Sequence, residues 1–223
     1  MTEDSSLTAP QLEGIAKRAL TFQRHIFRRA WGTYYALWSV AFAVFAFGNE
    51  LPLQTLVPQN LAWIPYIVMD VGVGLAAGIA TAWIFNKAHR TISLERIVMT
   101  DQGMGGRRYS LIWIWWLGFY VIAFLSFSVF PKGALSILYA MLFAVVIFIY
   151  YTLKLSFQSK TPLEGKLALA SYGSCVIISF FASLFTSNFL VFGTLWGITI
   201  ALWLFCALFA LRHAQDELAA LIQ

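Results

Sequence analysis

Asp70 is the single charged side chain in WIPYIVMDVGVGLAAGIATAWIF, an otherwise apolar run over residues 63–85. A carboxylate in such a place can hold a proton, a cation or a cationic ligand. Turned toward hydrocarbon, its ionised form would cost about 2.5–3.5 kcal/mol, so it must face protein or water. A second set of polar groups lies in LALASYGSCVIISFFASLFTSN (167–188), where Ser171, Cys175, Ser179, Ser183 and Ser187 recur every four residues. Ser179, Ser183 and Ser187 could line a polar path with Asp70 and donate hydrogen bonds to it. The bland alternative is helix packing. Gly74 and Gly78 follow Asp70 at four-residue steps, and Gly193 and Gly197 repeat the pattern later; small residues let apolar helices approach closely. This pairing predicts contact between residues such as Gly74 and Ser183.

Other chemistry lacks its groups. His25, His89 and His213 all fall outside the apolar runs, and no second acid accompanies Asp70. Nucleophilic, paired-acid and intramembrane metal chemistry therefore have no recognisable players. GMGG (103–106) has the wrong spacing for a phosphate cradle. The expectation is a protein without catalytic residues, metal ligands or cofactor. Cys175 and Cys206 sit at different depths of their runs, so no disulfide is expected.

These groups must be positioned by helices in lipid. Of the 223 residues, 60% are hydrophobic and 11% charged, and the mean hydropathy is +0.75. Soluble domains carry about 25% charged residues. Six runs have roughly the length of a membrane crossing, near 31–48, 63–85, 110–130, 134–154, 166–187 and 189–211. A lipid-buried backbone must satisfy its own hydrogen bonds, and the runs lack the alternation of barrel strands, so helices are expected. All of the 15 lysines and arginines except Lys132 then fall on one side. That asymmetry predicts an integral cell-membrane protein with both termini cytoplasmic. The same clustering explains the net charge of +5 through topology and anionic headgroups, with no need for nucleic acid.

The expected organisation is all-α. A disordered start (1–8) is followed by an amphipathic basic helix (9–30), a six-helix transmembrane domain (31–211) and a cytoplasmic helical tail (212–223). In the amphipathic helix Leu12, Ile15, Ala19, Phe22 and Ile26 recur at three- and four-residue steps, while Arg24 and Arg28 take the other face. Such a helix can lie in the headgroup plane or dock a partner. The second cytoplasmic loop (86–108), with Arg96 and a short helix expected at 92–99, is the other docking candidate.

Two functions fit. The first is a transport-related protein, alone or as one subunit of a larger transporter, with a polar site around Asp70. The other is a non-catalytic accessory or regulatory protein that docks a cytosolic partner through its N-terminal helix and second loop. In layout alone, six spans behind an amphipathic elbow resemble the membrane subunits of ABC-2-type exporters, and six short spans with a substantial first outer loop resemble the substrate-capturing components of energy-coupling-factor importers, likenesses of topology that carry no activity. Expected partners are the bilayer, a cytosolic or membrane subunit, and further copies of the chain in a homo-oligomer.

Overall fold

A computed structural model describes residues 8–47, 63–96, 134–157, 160–186 and 188–222. The expected third span (110–130) and first outer loop (48–60) lie outside the described residues. Those described form five helices: α1 (Ala9–Phe47), α2 (Trp63–Arg96), α3 (Ala134–Phe157), α4 (Leu163–Ser183) and α5 (Phe189–Ile222). Three stretches are long and apolar enough to cross a membrane, Ala9–Phe47, Leu163–Ser183 and Leu190–Ile222; Leu142–Phe157 is a shorter apolar stretch.

The helices do not break where the solvent is expected to change. Residues 9–30 and the first apolar run form one 39-residue helix. Pro10 is tolerated in its first turn, where its missing N–H has no helical partner to lose; the Gln11 side chain caps this end by accepting from Thr8 N–H at 2.9 Å. Residues 86–96, expected to begin a loop, continue α2, and residues 212–222 continue α5. The divisions at 30 and 211 thus mark a change of surroundings within single helices.

α1 is the centre of the bundle. It packs most extensively on α5, then on α2, with α3 touching it more lightly. Its core face presents Trp31, Tyr35, Trp38 and Phe42, which interlock with Phe85 of α2, Tyr172 of α4 and Trp203 of α5. Trp203, Tyr35 and Tyr172 are among the largest fully buried side chains. Edge-to-face and stacked pairs of this kind add about 0.5–1.5 kcal/mol each beyond their area. Two buried indoles also find oxygen partners: Trp203 Nε1 donates to Ala168 O at 3.0 Å and Trp38 Nε1 to Thr81 Oγ1 at 2.9 Å.

The contacts fix chain directions. His25 meets Ala214 and Gly197 faces Phe47, so α1 and α5 are antiparallel. Phe27 meets His89 while Trp38 meets Thr81, so α2 also runs against α1. Arg28 meets Glu164 and Phe42 stacks on Tyr172, so α4 runs with α1. Gly165 lies beside Leu153 and Gly173 beside Val146, which sets α3 antiparallel to α4. α2, α3 and α5 therefore share one direction, α1 and α4 the other. Every lysine and arginine of the described helices lies at the end of the bundle that holds the α1 N-terminus and the α5 C-terminus.

Gly32 allows the closest approach. A Cβ there would stand 2.9 Å from Leu211 Cγ and 3.3 Å from the Ala207 carbonyl oxygen. Only a residue without a side chain lets α1 and α5 meet at that height.

Candidate functional site

At the basic end of the bundle, three helices converge on Arg28. Glu164 is in the first turn of α4, where the helix dipole favours a carboxylate. Its side chain is 3% exposed, and Oε1 stands 2.8 Å from Arg28 Nε. The N–H is not aligned for a hydrogen bond, so this contact is charge pairing. From α5, Glu217 Oε1 accepts from Arg28 Nη1 at 2.7 Å. Burial pushes the Glu217 carboxyl above its ordinary range, and the nearby Arg28 only partly offsets that. One turn before Arg28, His25 is buried with Nδ1 2.6 Å from Ala214 O. A carbonyl can only accept, so Nδ1 carries the hydrogen.

This cluster ties α1, α4 and α5 together at the point where α1 leaves the bundle. Beyond it, residues 9–20 of α1 are exposed on every side, and Leu12, Ile15 and Leu20 are each about half exposed. They form a free arm that carries Glu13, Lys17 and Arg18. The core of the cluster has polar atoms to spare: the Tyr35 hydroxyl and Trp31 Nε1 are buried with no hydrogen-bond partner among the described residues.

A second buried polar group lies toward the other end, between α3, α4 and α5. Ser179 is 0% exposed, and its hydroxyl has no hydrogen-bond partner among the described residues. Cys175 and Tyr139 stand beside it and Thr199 adjoins Cys175, all of them buried. Trp196 Nε1 donates to Tyr139 Oη at 3.4 Å.

The sequence candidates are distributed unevenly over these places. Asp70 belongs to α2, but its side chain lies outside the described residues, as do those of Arg96 and Ser187. Ser183 donates to Phe180 O of its own helix at 2.6 Å. Gly74 and Gly78 are buried on α2, Gly193 is buried on α5, and Gly197 faces Phe47 at 3.8 Å. Among the described residues α2 packs principally on α1, and contact with α4 is slight at most; the expected closeness of Gly74 and Ser183 finds no interface there. Of the arginines expected to dock a partner, Arg24 is exposed, whereas Arg28 is committed to Glu164 and Glu217. Sequence reasoning passed over His25, Glu164 and Glu217. One signal was present: Glu164 stands among Lys154, Lys160 and Lys166, an acid in a basic flank two residues after a proline.

Both cysteines are free and buried. Among the described residues no cluster of three or more His, Cys, Asp or Glu side chains is close enough to hold a metal ion. No protein-family model, curated protein or solved structure matches the chain.

Proposed function

We propose that the chain is a multi-pass membrane protein of accessory or regulatory type, which engages a partner subunit through the projecting N-terminal arm of α1. The observation that carries this reading is the arm itself. It is helical, half apolar on one stripe and exposed all round, and it is seated on the bundle through Arg28, Glu164, Glu217 and His25. A helix that served only to cross the bilayer would need about 20 residues, and α1 has 39.

The arm is not suited to lying on the membrane. An unbroken helix cannot both cross the hydrocarbon and turn into the headgroup plane. With the apolar run beginning at Trp31, Thr8 stands about 34 Å further along the axis. The direction of the helices also supports six spans. α2 ends at the basic end and α3 begins at the opposite one, as the expected count of six would require. The gathering of lysines and arginines at one end favours that end, with both termini, as cytoplasmic.

Deletion of residues 1–20 tests the reading, because it spares His25 and Arg28. The expected result is loss of the native assembly in blue-native electrophoresis of gently extracted membranes, with helicity and thermal midpoint unchanged. An assembly of unaltered size after deletion would defeat the reading.

The buried Ser179 hydroxyl favours a second reading, in which the chain takes part in transport and Asp70 and Ser179 belong to a polar path. Under it, Asp70→Asn should abolish any shift of the thermal midpoint by protons or cations while the protein stays folded. An intact shift would reduce Asp70 to a packing residue.

A further inference from the structure

The last turns of α5 have little to hold them. Ala214 is the last buried residue of that helix; after it Glu217 and Leu221 are half-buried and the others up to Ile222 are exposed. His25 lies against Ala214 and Gly32 against Ala207, so each step forward on α5 is a step back on α1. Residues 215–222 therefore run beside residues 17–24. There Thr21, Phe22 and Gln23 are half-buried, whereas residues 9–20 are exposed. The tie across this junction is the Arg28 cluster.

Arg28 is one guanidinium between two carboxylates. Among the described residues no other cation stands within ion-pairing distance of Glu164 or Glu217. From α1, Arg24 is exposed and His25 donates from Nδ1 to Ala214 O at 2.6 Å. On α5 itself Asp216 is exposed, and His213 turns Nδ1 to Phe209 O at 2.9 Å. Two ionised carboxylates would leave one negative charge over in a place largely closed to water. Taking up a proton is how such a group neutralises.

The surroundings decide which carboxyl carries it. Glu164 sits in the first turn of α4 beside Arg28 Nε, where the ion is favoured. The Tyr35 hydroxyl, fully buried with no partner among the described residues, stands next to it, 3.3 Å from where a Cβ on Gly165 would be. Glu217 is placed otherwise. Its Oε1 accepts from Arg28, its Oε2 is buried with no partner among the described residues, and burial holds its carboxyl above the ordinary range. The side chain is 20% exposed, so a proton can come and go. Once ionised, Glu217 is repelled by Glu164 and gains hydration by moving outward. Of the residues after it in α5, only Leu221 is packed enough to oppose that.

We propose that Glu217 is a proton-operated latch: protonated, it holds the last two turns of α5 on α1, and ionised, it lets them come away and lengthens the free arm toward Arg24. The latch is shut at acid pH and opens as the pH rises through the folded value of the carboxyl, which lies above 4.5. The latch stands on the cluster alone. Its control of docking rests on the arm being the docking element.

The test uses the full chain in lipid vesicles, with a nitroxide on Ala220→Cys, an exposed position in the last turns of α5. The parent chain, treated with the same label, gives the background from the buried Cys175 and Cys206. Electron paramagnetic resonance is expected to show the label turning about threefold faster at about pH 9 than at about pH 4, in one reversible step. Glu217→Gln, which keeps the shape of the neutral carboxyl, should abolish the step and leave the slow spectrum throughout. Glu164→Gln should abolish it too, since Arg28 then pairs with the ionised Glu217 alone. A spectrum of the parent that does not change with pH overturns the latch and leaves the docking of the arm standing. A step that survives either substitution overturns it as well. An assembly unaltered by deletion of residues 1–20 removes only the latch's bearing on docking, because the spectrum is read without a partner.

Discussion

Arg28 holds two carboxylates from two other helices, and the consequence of losing it differs from that of losing a surface arginine. Glu164 is almost fully buried, so Arg28→Met strands a charge with no counter-ion. Such a loss costs about 3–5 kcal/mol, whereas replacing the whole group by neutral residues costs far less. The expected outcome is a large fall in thermal midpoint for Arg28→Met, with most of it recovered by adding Glu164→Gln and Glu217→Gln. A triple variant no more stable than Arg28→Met would show that the arginine acts by packing. Glu217 sets a pH dependence of its own. Its carboxyl is harder to ionise in the folded chain than at its ordinary value of 4.5, chiefly through burial. The folded state therefore keeps this proton longer than the unfolded one. The stability it confers is present at acid pH and is lost as pH rises from about 4.5 through the higher folded value. Thermal midpoints of Glu217→Gln should be flatter across that window than those of the parent protein; an unchanged slope would assign the titration to another group.

Elements were the most legible level in the amino-acid pattern. The apolar runs near 63–85, 134–154 and 189–211 fall within helices, and those near 31–48 and 166–187 form most of helices that end at Phe47 and Ser183, because hydrophobicity decides where the backbone must satisfy itself. What hydrophobicity does not report is where a helix stops. Nothing in NKAHRTISLER (86–96) breaks a helix, so α2 continues through a polar segment that reads as a loop only if solvent change is taken for chain ending. Pairing was equally hidden. The four-residue spacing of Gly74 and Gly78 announces a close neighbour without naming it. Gly32, with no second glycine at four-residue spacing, makes the tightest contact among the glycines described. Gly32→Val should destabilise by about 1–3 kcal/mol, since its side chain meets Leu211 and the Ala207 carbonyl of α5. Gly197→Ala, with Phe47 at 3.8 Å, should be near neutral. Equal midpoints for the two variants would contradict the close crossing of α1 and α5.

For the whole molecule, the asymmetry of basic residues and the direction of the helices agree on which ends belong together. Asn188 is exposed at the α4–α5 turn and Lys160 is exposed before α4, at opposite ends of the bundle. With the basic end cytoplasmic, a membrane-impermeant maleimide should label Asn188→Cys in intact cells, and Lys160→Cys only after permeabilisation. The reverse pattern would invert the topology, and labelling of both in intact cells would remove it. The candidate site was less legible than the helices. Asp70 drew notice because a charge in an apolar run is conspicuous, whereas Glu164 and Glu217 sit among other charges and gain their meaning only from the burial that packing imposes.

α1 has neither a break nor a helix-ending proline between Ala9 and Phe47. In mechanical terms it is one stiff rod, and under the proposed topology one end lies in a fluid of variable thickness and the other in water. An apolar stretch answers a thinner bilayer by tilting. A tilt of about 10° would carry the tip of a 34 Å arm sideways by about 6 Å. Under that topology lipid thickness, a quantity with no direct chemical signature in the cytosol, would become a displacement there.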